Sequence, residues 1–176
     1  MILWTIQSVK VLDRILEQKE YRADWEQIDD LSDQFRNAYT WMALQMERRG
    51  ISLQGRPPVW AWKQWNAERA MPDLRARAHI PSGTKGVRIE LDVPDDLVLL
   101  SDFETWHAVL NNHVLSYSEK EHDQTHSREQ IEKSWERVFE FGKGDPDWNG
   151  TGSSVQATIP KIDKDWIRKV KHFIGR

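Results

Sequence analysis

The chain has 176 residues, of which 39% are hydrophobic, and a net charge of −3 at pH 7. This size and composition predict one globular domain, and the weak negative charge argues against a dedicated DNA-binding protein. Because there is no cysteine, disulfides, a thiolate nucleophile and thiolate metal ligands are excluded. No apolar run approaches membrane-spanning length and no signal-peptide core follows Met1, so we expect a cytoplasmic protein without a membrane partner.

The first part of the chain predicts a strand followed by two helices. Residues 2–7 are apolar and β-branched, as in a short strand, and Ser8 is placed to cap an amphipathic helix. A second helix is predicted over residues 32–49, with Gly50 as its stop.

Three strands and a helix are predicted in the middle of the chain. Residues 59–62 read as a strand, and residues 86–93 alternate apolar and charged side chains, which indicates a strand with one buried face. The continuous apolar run 97–100 is typical of an interior strand. Asp102 is placed to cap a helix that ends at Asn111 or Asn112.

The last part of the chain predicts two helices and one strand. A capping box of Ser127 and Gln130 precedes a helix at 131–141, residues 142–154 have the composition of a flexible loop, and 155–159 form the final strand. Asp163 is expected to cap a C-terminal helix. The inner face of that helix would carry Trp166, Ile167, Val170 and Phe173.

These elements predict an α+β fold in a single domain, residues 1–176. About five strands in a mixed or antiparallel sheet would be packed with about five helices.

The most informative segment lies between residues 59 and 107, which hold four of the ten tryptophans. Nine basic residues against two acidic ones lie between residues 48 and 89; the basic ones are Arg48, Arg49, Arg56, Lys63, Arg69, Arg75, Arg77, Lys85 and Arg88. Aromatic faces beside cations are what proteins use to bind nucleotides or nucleic acids.

The tryptophans of this segment have different expected roles. Trp60 and Trp62 lie on one face of a strand, where they form core or the wall of a pocket. Trp65 lies beyond the strand and is the better candidate for an exposed stacking surface. The predicted contacts to nucleic acid or phosphate are Lys63, Trp65, Arg69, Arg75 and Arg77.

Polar residues on the two outer strands allow two interpretations. Thr5 and Gln7 share a face of the first strand, and Gln156 and Thr158 share a face of the last one. They indicate either a wetted cleft or edge strands that face solvent.

The strand-to-helix junction at residues 101–111 also has two interpretations. Ser101 and Asp102 lie where free backbone N–H groups can bind an anion, and His107 follows one turn into the helix. The alternative is a capping Asp and a His that is hydrogen-bonded within the fold. His122 and His126 lack further ligands nearby, so we predict no metal site.

Five groups of residues, which occur here in one order, carry a family resemblance. They are Leu3-Trp4-Thr5-Ile6-Gln7, Pro58-Val59-Trp60-Ala61-Trp62, Pro94-Asp95-Asp96 with Val98-Leu99-Leu100-Ser101-Asp102-Phe103, Trp106-His107-Ala108-Val109-Leu110-Asn111, and Gln156-Ala157-Thr158. Together they resemble a bacterial family catalogued as domain of unknown function 3841, from residue 2 to about residue 173. This resemblance implies no established activity.

The layout is also similar to compact ADP-ribosyltransferase-type folds, especially those that modify DNA or RNA bases. Such proteins have an opening strand with a polar Thr or His motif, an aromatic strand at the nicotinamide pocket, a middle strand that ends in Ser/Thr-Asp, and a late strand that begins with Gln and bears a catalytic Glu. The matching positions are Thr5, Trp60, Ser101-Asp102 and Gln156.

This second resemblance implies NAD as the cofactor and a nucleotide, DNA or RNA as partners. The implied catalytic positions are Thr5, Gln156 and Thr158. The implied cofactor-binding residues are Gln7, Trp60, Trp62, Ser101, Asp102 and His107.

One position departs from the ADP-ribosyltransferase pattern. Its Glu is expected two residues after Gln156, where this chain has Thr158. Without a carboxylate, transfer lacks its main electrostatic support. It therefore stays open whether the chain is an enzyme, a glycosyltransferase of the ADP-ribosyltransferase type. Asp102 and Glu90 are the first candidates to replace the missing carboxylate.

A non-enzymatic function is the competing hypothesis. The chain would then be a binding module for single-stranded nucleic acid or for a protein partner, through Trp65 and the Arg-rich loop that follows it.

Overall fold

One antiparallel six-stranded sheet forms the centre of the computed structural model, which describes residues 1–29, 33–77, 79–143, 148 and 153–176. In chain order the strands are β1 (Ile2–Ser8), β2 (Glu20–Tyr21), β3 (Val59–Gln64), β4 (Lys85–Asp92), β5 (Leu99–Asp102), β6 (Val155–Ile159), β7 (Ile162–Asp163) and β8 (Ile167–Ile174). The sheet order is β5-β6-β3-β1-β4-β8, and β2 and β7 form a separate two-stranded ribbon.

Six α-helices lie in the described ranges, so the α+β class and the antiparallel sheet are confirmed. They are α1 (Val9–Gln18), α2 (Trp25–Asp29), α3 (Asp33–Arg48), α4 (Phe103–Leu110), α5 (Glu119–His122) and α6 (Arg128–Ser134). None of these helices is long and apolar enough to cross a membrane. The predicted helix start at Ser32 and residues 144–147 and 149–152 of the predicted loop lie outside the described residues.

The two faces of the sheet have different chemistry. Small and aliphatic side chains such as Leu3, Ala61 and Ile89 form one buried core with Leu12 and Ile15 of α1. The opposite face meets α3 and α4 through an aromatic cluster. Alternation along β4, predicted from the sequence, is confirmed, because Val87, Ile89 and Leu91 are fully buried.

The predicted helix caps are largely correct. The Asp102 carboxylate accepts a hydrogen bond from the Thr105 backbone N–H at 2.9 Å, and Ser127 and Gln130 form the expected capping box. Ser8 occupies the N-cap position of α1, but its side chain makes no capping bond. The helix predicted at 131–141 instead starts at Arg128 as α6 and continues as a 3₁₀ segment, Trp135–Phe139.

The prediction of a C-terminal helix was wrong. Asp163 caps only a 3₁₀ turn, and the following residues form β8, which pairs with the outer edge of β4. A bulge at Glu90/Leu91 puts both Ile167 and Val170 on the core side. Phe173 instead lies opposite Gly86. The three-residue spacing between Ile167 and Val170, which predicted a helix, is therefore produced by a bulge in a strand.

The prediction of an interior strand at 97–100 was also wrong. Leu97 belongs to a 3₁₀ turn, and β5 begins at Leu99 on the edge of the sheet. The run is apolar because elements pack on both faces of this edge strand: Leu100 contacts the aliphatic core and Leu99 the aromatic cluster.

Candidate functional site: an aromatic cavity where two strands stop pairing

The sheet is weakly joined between β1 and β3. β1 pairs with β4 from Ile2 to Ser8, but it pairs with β3 only at Trp4 and Trp62. Next to that pair, the Thr5 hydroxyl donates to the backbone oxygen of Trp60 at 2.8 Å and accepts from Gln7 Nε2 at 2.8 Å. A side-chain bond thus replaces part of the backbone ladder.

A cavity of about 550 Å³ opens beside this gap, between the sheet, α3 and α4. Strands β1, β3 and β6 form one side of it, and α2, α3 and α4 supply the rest together with the loop that contains His79. Of the described residues that line it, none is Asp, Glu, Lys or Arg. The cavity is therefore suited to an uncharged group.

Aromatic rings form the walls of the cavity. The Trp60 ring lies 4.9 Å from that of Trp106 and 5.6 Å from that of Tyr39. The Trp62 ring lies 4.9 Å from that of Phe103. All five of these residues line the cavity, and their rings offer flat faces and edges to a planar ligand.

Three buried polar atoms beside the cavity have no hydrogen-bond partner among the described residues: Ser101 Oγ, Gln156 Oε1 and Trp60 Nε1. Gln156 is Cα partner to both Ser101 on β5 and Trp62 on β3, so these side chains lie on one face of the sheet. A buried polar group without a partner costs about 1–3 kcal/mol. Such a concentration is typical of a site that a ligand completes.

Tyr39 adds a phenol to the cavity wall. Burial raises the pKa of Tyr39 to about 12, because the apolar surroundings disfavour the phenolate. At neutral pH the hydroxyl is therefore protonated and can donate a hydrogen bond.

Only some of the predicted catalytic and cofactor-binding residues line this cavity. Gln7, Trp60, Trp62 and Gln156 do. The others lie outside its lining: Thr5, Thr158, Ser101 and Asp102 are buried, and His107 is exposed.

Internal hydrogen bonds account for all of these other residues except Ser101. The Thr158 hydroxyl donates to the Leu99 backbone oxygen at 3.3 Å. The His107 Nδ1 lies 3.0 Å from the backbone oxygen of Phe103, and Asp102 caps α4. Their observed contacts are those of a framework.

Neither candidate replacement carboxylate lines the cavity. Asp102 is used in the helix cap, and Glu90 accepts a hydrogen bond from Trp4 Nε1 at 3.3 Å. Over the described ranges, no group of three His, Asp or Glu could hold a metal ion.

The predicted phosphate contacts do not line the cavity. Arg69 and Arg75 both pair with Asp73, at 3.1 and 2.5 Å. Trp65 is half-buried with its ring edge against Trp62, at 4.6 Å between centroids. Neither these residues nor Lys63 and Arg77 line the cavity.

Among the lining residues that were not predicted as site residues, three belong to the aromatic walls described above. Tyr39 lies on the inner face of α3, and Phe103 and Trp106 lie three residues apart on α4, directly after the Asp102 cap. The sequence did contain a signal for Phe103 and Trp106, because both are aromatic residues in the first helical turn after the end of a predicted strand.

A family model matches residues 2–130, and its description is "Domain of unknown function (DUF3841)". The match ends before the predicted limit near residue 173, and residues 131–176 supply α6's last turns and strands β6 to β8. The search of curated proteins found no match, and the search of solved structures found none either. Since the model covers most of the chain, this protein belongs to the DUF3841 family.

Proposed function

We propose that this chain is an ADP-ribosyltransferase-like domain that binds NAD or a related nucleotide through its flat, uncharged end and acts on or near nucleic acid. The observation that carries the proposal is the buried Gln156 Oε1 atom, which has no partner among the described residues, in a cavity with aromatic walls; the residue as a whole is 9% exposed. Nicotinamide combines a flat ring with a neutral carboxamide. The rings can hold its faces while the amide and indole atoms bind the carboxamide.

The size of the cavity supports a ligand of this class. Its 550 Å³ lies within the roughly 300–1,000 Å³ that is usual for small-molecule sites. A nicotinamide ring with its ribose fits within such a space. Because no Lys or Arg is among the described lining residues, we expect the phosphates to lie at or beyond the mouth.

Arg22 is the best candidate for a phosphate contact. It lies between two lining residues, Tyr21 and Ala23, and its Nη1 is buried without a partner among the described residues. Its Nε donates to Glu20 at 3.0 Å. A guanidinium with one unused edge is suited to a phosphate oxygen.

The lining offers no carboxylate to stabilise a cationic ribosyl centre. We therefore propose nucleotide binding with the transfer reaction altered or lost. Calorimetric titration with NAD, nicotinamide and ADP-ribose tests the binding. We expect heat with NAD, and competition by nicotinamide. Absence of heat with all three ligands would reject nucleotide binding.

Incubation with labelled NAD and DNA, RNA or cell lysate tests the chemistry separately. We expect no transfer of label to any acceptor. Efficient transfer would overturn the proposed loss of activity while leaving the proposed binding intact.

The binding-module hypothesis is the second candidate, and the exposed Arg69 and Arg75 side chains support it. They are 53% and 67% exposed, so a phosphate can reach them even while they pair with Asp73. This candidate expects nucleic-acid binding that weakens with salt and survives the substitution Gln156→Leu.

A further inference from the structure

A basic surface lies next to the aromatic cavity, on the β4–β8 part of the same sheet face. Arg88 on β4 is Cα partner to Lys171 on β8, and Glu90 is partner to Lys169 and to Trp4 on β1. These five side chains therefore share one face of the sheet, which we call the basic face.

The Arg-rich loop extends the basic face. The Arg88 Nη1 donates to the backbone oxygen of Pro72 at 2.7 Å and so ties the loop to the sheet. A cavity of about 520 Å³ lies between Arg88 and the loop residues 69–75, and a smaller one of about 90 Å³ lies between Met71 and the basic face. Met71 and Arg88 line both cavities, so the two are adjacent, and we refer to them together as the groove.

The groove concentrates positive charge in a protein whose net charge is negative. Five cations line it, Arg69, Arg75, Arg88, Lys169 and Lys171, against the two acidic residues Asp73 and Glu90. Lys169 and Lys171 are exposed and make no ion pair with any described residue. Lysines without ion-pair partners on a strand repel the neighbouring cations in the unbound protein. An anionic partner would reduce this repulsion, so the arrangement favours binding of an anion.

We infer that this groove binds the sugar-phosphate backbone of single-stranded nucleic acid, with Trp4 available to a base. Strand geometry separates Lys169 and Lys171 by about 7 Å, which gives a row of charges along β8 instead of one compact anion site. A cationic groove with an aromatic residue in its floor is the arrangement that single-strand binders use. No residue lines both sites, so the nucleic-acid contacts can be tested separately from the cavity ligand, although Trp4 is the Cα partner of the cavity residue Trp62.

Fluorescence anisotropy with a labelled single-stranded oligonucleotide tests this surface, in DNA and RNA versions and over a range of salt. The test variant is Lys169→Gln with Lys171→Gln, and the matched control is Lys10→Gln with Lys120→Gln, two exposed lysines on α1 and α5. We expect the test variant to bind at least tenfold more weakly. Its slope of log affinity against log salt should fall by about 1.4, or about 0.7 for each lost phosphate contact.

Thermal melting of both variants separates lost binding from lost folding. The exposed positions make equal melting temperatures the expected result. A second variant, Trp4→Leu, should weaken binding about tenfold with an unchanged salt slope, because it removes stacking and keeps the charges.

Three results would overturn the inference. One is equal loss of binding in the test and control variants, which would indicate a general charge effect. Another is tighter binding of duplex DNA than of either single strand. The third is equal affinity for a polyglutamate peptide, which would assign the groove to an acidic protein partner. NAD titration of the test variant should be unchanged, so that failure here and failure of nucleotide binding are distinguishable.

Discussion

Gln156 and Ser101 lie opposite each other on β6 and β5, and each buries an oxygen atom that has no hydrogen-bond partner among the described residues. Two such atoms side by side cost the free fold roughly 2–6 kcal/mol in total. Natural proteins retain unpaired buried polar atoms mainly at sites where a bound ligand supplies the missing hydrogen bond. The residues that serve function are often not the ones that give the greatest stability.

Replacement of Gln156 by Leu should separate stability from function. Leu removes the unsatisfied oxygen at similar volume, so we expect the free energy of unfolding to rise by about 1 kcal/mol. The affinity for NAD should fall at least tenfold because the amide is lost. Chemical denaturation and calorimetry measure the two effects.

Thr158→Val on the same strand is the matched control. It removes the hydroxyl that bonds to the Leu99 backbone oxygen, and it should cost about 1 kcal/mol of stability without affecting NAD affinity. If Gln156→Leu binds NAD as well as the original chain does, the cavity is not the nucleotide site.

The three tyrosines should resist ionisation in the folded chain. Burial raises the pKa of Tyr39 and of Tyr117 to about 12, and it also raises the pKa of Tyr21. The unfolded chain loses these protons first, near pH 10. Stability is therefore complete below pH 10 and falls as the pH rises toward 12.

Tyrosinate absorbance, followed during a pH titration, measures this effect. We expect little signal until the chain unfolds, and Tyr39→Phe should make stability less sensitive to pH above 10. A tyrosine that titrates reversibly at pH 10 in the folded chain would contradict the buried position of its phenol.

Ion pairs in the β2–β7 ribbon should make the stability of the fold depend on pH in the acid range. Lys161 Nζ lies 2.8 Å from Glu20 and 2.7 Å from Asp163, and these bonds hold the pKa of both carboxyl groups below their usual values. The contribution is present above the ordinary values near 4.5 and 3.8 and is lost as the pH falls through the lowered ones.

Lys161→Met removes the shared cation. Because Glu20 is 40% exposed, solvent screens much of the effect, and we expect a loss of about 0.5–1 kcal/mol at neutral pH. Denaturant titrations at pH 7 and below pH 3 measure it. The difference between the variant and the original chain should shrink at the lower pH; an equal difference at both would assign it to packing against Trp166.

Gly86→Ala tests how closely the loop that contains Ile80 packs against the sheet. A Cβ at Gly86 would lie 2.4 Å from Ile80 Cδ1 and 2.9 Å from the Phe173 ring, so one of them has to move. We expect a loss of about 1–3 kcal/mol, measured by thermal and chemical denaturation. Gly83→Ala cannot serve as a control for this steric clash, because its φ of +79° makes any residue with a side chain strained at that position. Thr84→Ala in the same loop serves instead, and an equal loss there would indicate a general weakness of the loop.

Elements with a local signal could be predicted from the sequence. Alternation along β4 and the caps at Asp102 and Ser127 each depend on a few neighbouring residues. The two errors, β8 and the edge position of β5, depend on contacts that are distant in the chain. A bulge opposite Glu90 sets the inward residues of β8, and no local pattern reveals a bulge.

The candidate site was predicted in part for the same reason. Strand alternation puts Trp60 and Trp62 on one face of their strand, and the resemblance to ADP-ribosyltransferases implied that they share a pocket with Gln7 and Gln156. Tyr39 and Trp106 reach the cavity only through the packing of α3 and α4 on the sheet, which is a tertiary relationship. Burial also converts Thr5 and Thr158 from candidate reactive groups into hydrogen-bonded framework.

The single paired position between β1 and β3 has a mechanical consequence. The other neighbouring strands of the six-stranded sheet pair over four or more positions, with bulges in the β3–β6 and β4–β8 ladders. Between β1 and β3 the paired position is Trp4 with Trp62, and the Thr5 hydroxyl adds one side-chain bond. We expect a molecule that enters beside Trp60 to displace the hydrogen bond from the Thr5 hydroxyl more readily than it would displace a paired strand. The junction between β1 and β3 is therefore the position in the sheet where we expect the least resistance to opening, and residues of both strands line the aromatic cavity.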